Sequence, residues 1–300
     1  MLDGIVLVDK PSGWTSHDVV ARMRRLAGQK RIGHTGTLDP MATGLLVVCL
    51  GNATRLVEYM TGHDKRYAGT IVLGSTTDTD DAEGAVVAMR DVPPPADVDL
   101  EAIRRQFLGP LMQMPPSYSA ISVGGKRAYD IARAGGDPGL KRRPVTIHDL
   151  ALRAIDGGTL AINVHCGPGT YIRSLARDIG AAIGCGGHLG SLRRVSAGHF
   201  SVDAAYTLEE LGAAAEAGLF AEALLAADDG ILGMDAAVLG VEKAALVGNG
   251  IVVAVSLERT FVANEAVRVY TSAGAFLGIA ELREGELLHA SKVMRAANLG

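Results

Sequence analysis

Arg31-Ile-Gly-His-Thr-Gly-Thr-Leu-Asp-Pro-Met-Ala-Thr-Gly44 is the stretch from which the rest of the chain is best understood. Gly33, Gly36 and Gly44 relax backbone sterics at three points, and Pro40 confines Asp39 to extended conformations. The product is a shaped loop presenting one carboxylate. The apolar run Leu45-Leu-Val-Val-Cys-Leu50 follows at once and predicts a buried strand, so the loop stands at the mouth of a rigid core element. On spacing alone, Asp39-Pro40 also suits an ordinary turn.

Working outward, 300 residues can bury a large core and predict one large domain plus a small one. Hydrophobic residues at 48% and charged residues at 21% fit a globular chain. The three cysteines, Cys49, Cys166 and Cys185, form no C-x-x-C pair, which fits a reducing cytoplasm. No basic leader and no apolar run of membrane-spanning length is present, so neither export nor insertion is expected. The net charge of −4 conceals an uneven distribution. Five Lys/Arg and no acid lie in residues 19–38, and eight Lys/Arg against two acids lie in residues 104–143. Residues 203–235 carry eight acids and no Lys/Arg. Basic regions suited to phosphates thus accompany an acidic region expected to face solvent.

Residues 5–8 predict a short buried strand, and Ser16 a cap for a helix with Val19, Val20, Met23 and Leu26 on one face. Residues 65–73 alternate as a strand that places Tyr67 on one side. Asp78, Asp80, Asp81 and Glu83 lack the spacing of a calcium loop and read as a solvated acidic turn, with no metal expected. Asp99 should cap a helix over 100–108. Residues 109–144 read as a long functional loop in which basic groups alternate with Tyr118 and Tyr129, a pattern suited to RNA. Strands over 145–155 and 160–166 lead to a helix for which Thr170 is the expected cap. Arg173 lies in its first turn, where a cation opposes the helix dipole, so a carboxylate partner is expected. Thr207 and Glu210 have capping-box spacing. Residues 228–235 read as a linker, and the short alternating stretches beyond it as a small β-rich domain.

The string Gly-His-Thr-Gly-Thr-Leu-Asp-Pro-Met-Ala-Thr-Gly resembles the catalytic motif of the TruB family, the bacterial tRNA pseudouridine-55 synthases. Three further segments resemble that family in order: Lys-Pro-Ser-Gly-Trp-Thr-Ser-His from Lys10, Gly-Thr-Tyr-Ile-Arg ending at Arg173, and His-Leu-Gly-Ser-Leu-Arg-Arg-Val from His188. The resemblance implies an α+β fold. It implies a mixed-sheet catalytic domain over 1–230, a basic RNA-gripping insertion over 109–144, and a PUA-like RNA-binding domain over 231–300. It casts Asp39 as nucleophile, Arg173 as its ion-pair partner, and Tyr67 and Tyr171 as neighbours of the target base. Leu192 would lie against the ribose or base, Lys10 in the floor of the site, and His34 in the gap left by the flipped nucleotide. Ser122 stands where the family often has lysine, and Pro168 replaces a more usual polar residue. The implied substrate is the uridine at position 55 in the TΨC arm of tRNA. Neither cofactor nor obligatory protein partner is implied. A glycoside hydrolase would need two facing carboxylates, and no second acid occupies a comparable loop.

Overall fold

The computed structural model describes residues 1–255, 264–284 and 286–294. Its larger sheet has nine strands among these residues. The main path runs Gly4–Lys10, Thr43–Leu50, Gly187–Ala197, Lys65–Leu73, Thr159–Cys166, Arg143–Ala154, Gly109–Gln113. Neighbours along it are antiparallel, except that Thr43–Leu50 and Gly187–Ala197 run parallel. The sheet is therefore mixed and the fold α+β.

Gly4–Lys10 and Thr43–Leu50 are buried on both faces, which explains their unbroken apolar runs. Val6, Val8, Leu46 and Val48 pack on Val19, Val20 and Met23 of helix Ser16–Leu26. Ile5, Leu7, Leu45 and Val47 pack on Met60, Phe200 and Ile231. In Lys65–Leu73 alternation decides the faces: Tyr67, Ile71 and Leu73 turn inward, against Ile172, Leu175, Ala176 and Ile179 of helix Ile172–Ile183. Of the three glycines in the opening stretch, only Gly44 has a positive φ, +96°. A Cβ there would meet the Arg194 carbonyl oxygen at 2.3 Å. Gly44→Ala should therefore lower stability by roughly 1–3 kcal/mol. An unchanged denaturant midpoint would contradict this account of the strand crossing.

Four expectations need correction. Thr15, not Ser16, caps the first helix, in a capping box with Asp18. Thr170 does not cap Ile172–Ile183; Tyr171 holds the cap position without a side-chain bond, while the Thr170 hydroxyl donates to the Gly167 carbonyl at 2.9 Å. Residues 109–144 are not one long loop. Gly109–Gln113 is an edge strand of the main sheet, and a hairpin and the short helix Ala128–Arg133 follow. The expected linker is instead packed. Ala227–Ile231 forms a 3-10 turn, and a Cβ on Gly230 would meet Met60 Sδ at 2.2 Å and Ile5 Cδ1 at 2.8 Å. Asp-Asp-Gly punctuation suggested a tether; Ile231, Leu232 and Met234 show no period that would mark Ile231 and Met234 as the anchor.

The second sheet has five strands among the described residues. Their order is Ala236–Leu239, Glu265–Thr271, Phe276–Arg283, Leu287–Val293, Val253–Ala254. With helix Val241–Gly248 it encloses Leu239, Val247, Val267, Val269, Leu277 and Leu288. Residues 256–263, 285 and 295–300 lie outside the described residues.

Candidate active site

The Asp39 loop is fastened from below by the amino-terminal segment. The Ser16 hydroxyl, freed from capping, accepts from Leu38 N at 2.8 Å and donates to Leu38 O at 3.1 Å. Gly13 N donates to Pro40 O at 2.8 Å. Lys10 is completely buried, and its ammonium donates to the carbonyls of Pro11 (2.9 Å), Trp14 (2.6 Å) and Pro40 (3.2 Å). With all three donors used, Lys10 supports the Asp39 loop from below, in keeping with a place in the floor of the site.

Burial lowers the Lys10 pKa from 10.5 to about 8, and nearby Asp39 only partly offsets this. The ammonium is thus lost as pH rises through about 8, and an amine can serve only two of the three carbonyls. Turnover should fall on that alkaline limb. Burial also brings Lys65 to about 8, so Lys65→Gln is the control. The fall should persist in that variant, and its disappearance would assign it to Lys65.

Arg173 and Asp39 meet as the sequence predicts. Arg173 Nη2 donates to Asp39 Oδ1 at 3.2 Å, and Nε lies 2.9 Å from Oδ2 without the alignment of a hydrogen bond. The Asp39 side chain is 37% exposed and that of Arg173 only 6%, so the carboxylate faces the opening and the guanidinium lies behind it. Arg173 also donates to Thr79 O and Tyr118 O, both at 2.9 Å, joining three separate loops.

Half of the acidic turn is solvated as expected, with Asp78 and Glu83 exposed, but Asp80 and Asp81 are drawn into ion pairs. Asp81 is 4% exposed, its Oδ2 3.5 Å from Arg173 Nη1, while Oδ1 accepts from Thr79 Oγ1 at 2.5 Å and Glu83 N at 3.1 Å. Asp80 pairs with Arg177 at 2.7 Å, one helical turn beyond Arg173. Burial raises the Asp80 pKa, and Arg177 opposes that rise. These carboxylates were misread because their partners lie some 95 positions away in sequence.

Tyr67 and Leu192, each 8% exposed, join Leu38 and Ala42 in one apolar cluster beneath the loop. Burial raises the Tyr67 pKa, opposed by the positive charge of nearby Arg194. Arg194 was quoted in a motif but given no role. It is 2% exposed, and donates to Leu45 O at 2.6 Å and Gly36 O at 3.0 Å.

Tyr171 is half-buried, and its pKa too is raised by burial. Its backbone is clamped by Gln113, which the sequence reading missed: Tyr171 N donates to Oε1 at 2.8 Å, and Nε2 donates to Tyr171 O at 3.0 Å. Gln113→Leu leaves both groups unpaired and should cost about 1–3 kcal/mol for each that stays dry. His34 closes the strand Ile32–His34; its Nδ1 accepts from Gly36 N at 3.3 Å, and burial, then Arg194, lowers its pKa. No group of three His, Cys, Asp or Glu among the described residues is placed to hold a metal ion. No helix among them is long and apolar enough to cross a membrane.

Residues 24–172 match the model of the TruB family pseudouridylate synthase N-terminal domain, and residues 173–239 that of the tRNA pseudouridylate synthase B C-terminal domain. A tRNA pseudouridine synthase B of Paenarthrobacter aurescens is 52% identical over 217 residues, 70% of each chain. One of Streptomyces avermitilis is 41% identical over 293 residues, 95% of each chain. Among solved structures, a Cbf5-Nop10-Gar1 complex contains a chain superposing with TM-score 0.74 at 25% identity, over 97% of this chain and 84% of that one. The chain belongs to the TruB family of pseudouridylate synthases.

Proposed function

We propose that this chain isomerises uridine 55 in the TΨC arm of tRNA to pseudouridine, with Asp39 as nucleophile. The family, and relatives named tRNA pseudouridine synthase B along nearly the full chain, support the activity. The observation that carries the assignment of Asp39 is its ion pair with buried Arg173, which leaves the carboxylate partly open above Tyr67 and Leu192.

The N1–C1′ bond breaks, the uracil turns while still bound, and a C5–C1′ bond replaces it, with the C5 proton lost and a proton taken up at N1. One carboxylate can drive this without redox change, ATP or metal. The uridine must first leave its stack, at a cost of a few kcal/mol, and stacking on an aromatic returns roughly 1–3 kcal/mol. Tyr67 and Tyr171 supply that return, and Leu192 packs against the ribose or base. His34, held neutral by its lowered pKa, fills the vacated place without attracting a phosphate.

Residues 1–230 form the catalytic domain, the basic insertion over 109–144 grips the RNA, and 231–300 make a PUA-like RNA-binding domain. The enzyme works in the cytoplasm without an obligatory protein partner. His34→Ala should weaken tRNA binding more than Asp39→Asn does; the reverse order would remove His34 from the RNA. The reading is tested by tritium release from C5-labelled uridine in an unmodified tRNA transcript, with the modified position mapped. Release from the TΨC-arm uridine is expected, and tight binding with no release would leave only a binding protein.

A further inference from the structure

Beside the catalytic loop, helices Ser16–Leu26 and Leu208–Glu216 flank an open cavity of about 220 Å³, lined by Trp14, Arg22, Arg25, Leu208 and Glu209. Three features distinguish it from an ordinary surface cleft. First, the Arg22 and Arg25 side chains make no hydrogen bond or ion pair among the described residues, whereas the Arg24 side chain between them donates to Lys30 O at 3.0 Å and Ile32 O at 3.4 Å. Second, Trp14 is only partly buried against the apolar cluster under this helix, leaving indole surface at the cavity. Third, Glu209 puts a carboxylate into a wall otherwise made of two arginines, an indole and Leu208.

The cavity is also tied to the chemistry. The Trp14 carbonyl accepts from Lys10, whose ammonium also holds Pro40 next to Asp39. Ser16, bonded to Leu38, opens the helix on which Arg22 and Arg25 follow, roughly 9 and 14 Å further along its axis.

We propose that this cavity binds a second nucleotide of the substrate RNA, outside the target uridine. Its base stacks on Trp14, its phosphate is held by Arg22 and Arg25, and its base edge donates an exocyclic amine hydrogen to Glu209. The inference rests on tRNA being the substrate. Phosphate attraction alone would leave Trp14 and Glu209 without a part, and a carboxylate among the contacts would then oppose binding.

Trp14 is the sole tryptophan, so stacking there reads directly as fluorescence. Titration with unmodified tRNA transcript should quench it in wild type and in Asp39→Asn. In Arg22→Gln/Arg25→Gln, quenching at saturation should be lost, and the slope of log affinity against log salt should flatten by about 0.7–0.9, the value for one neutralised phosphate. Glu209→Gln decides between base recognition and simple charge attraction: removing a negative charge should tighten a purely electrostatic contact, and here should weaken binding. Absence of quenching in wild type, its survival in the double variant, or tighter binding by Glu209→Gln would each overturn the proposal. Unchanged thermal midpoints in the variants exclude misfolding as the cause of lost quenching. Tritium release, measured in parallel, separates the two readings. Release without quenching removes only the second nucleotide site, and quenching without release removes only the isomerase.

Discussion

Asp39→Asn is expected to abolish pseudouridine formation, lowering turnover by at least about 10⁴-fold, the scale on which loss of a nucleophile acts. The substitution preserves shape, so the loop should keep its fastenings through Ser16, Gly13 and Lys10, all of which act on backbone atoms of Leu38 and Pro40. tRNA affinity should therefore change little. Single-turnover tritium release and filter binding on one preparation give the comparison, and full turnover by Asp39→Asn would end the mechanism.

The second large effect is expected at Arg173. Arg173→Lys keeps a positive charge but lacks the planar fork that reaches Asp39, Asp81, Thr79 O and Tyr118 O together. We expect kcat to fall by about 10²–10³-fold, the scale for loss of one preorganised electrostatic group. KM should change far less, because the residue lies behind Asp39. Arg173→Met should also destabilise the fold, by about 3 kcal/mol, since it strands the nearly dry Asp81 carboxylate. Asp39, being partly exposed, contributes little to that figure. Equal losses of stability in the Lys and Met variants would argue that shape and not charge is at stake.

How much of this could be read in the sequence follows from the range of each interaction. The strand Lys65–Leu73, the capping box at Thr207 and the cap at Asp99 were legible because their causes lie within a few residues. The Asp39–Arg173 pair spans 134 positions, and the expectation of a carboxylate near Arg173 came from a local anomaly, a cation at a helix start. Which carboxylate it meets came from the resemblance. Nothing local marks Gln113, Arg194 or Asp81 as buried. Each looks like a surface residue until the strands and loops that dehydrate it are assembled. Ser16 was misassigned because neighbouring hydroxyls compete for one cap and the loser is taken up by another loop, whereas the Thr170 hydroxyl turns back to the Gly167 carbonyl in its own turn and leaves the helix without a side-chain cap.

The packed turn at Ala227–Ile231 has a practical consequence for dissecting the protein. Ile231 sits in the same apolar cluster as Ile5, Leu7 and Met60, and Ile279 and Met294 of the second sheet complete it. Tyr270 further ties that sheet to the turn by donating its hydroxyl hydrogen to Asp228 at 2.6 Å. A chain cut at residue 230 would therefore expose an apolar face of the strand Gly4–Lys10, whose last residue anchors the Asp39 loop. Deleting the carboxyl-terminal sheet to measure its share of RNA affinity would report the health of the catalytic loop instead. Substitutions on that sheet's exposed face are the cleaner instrument.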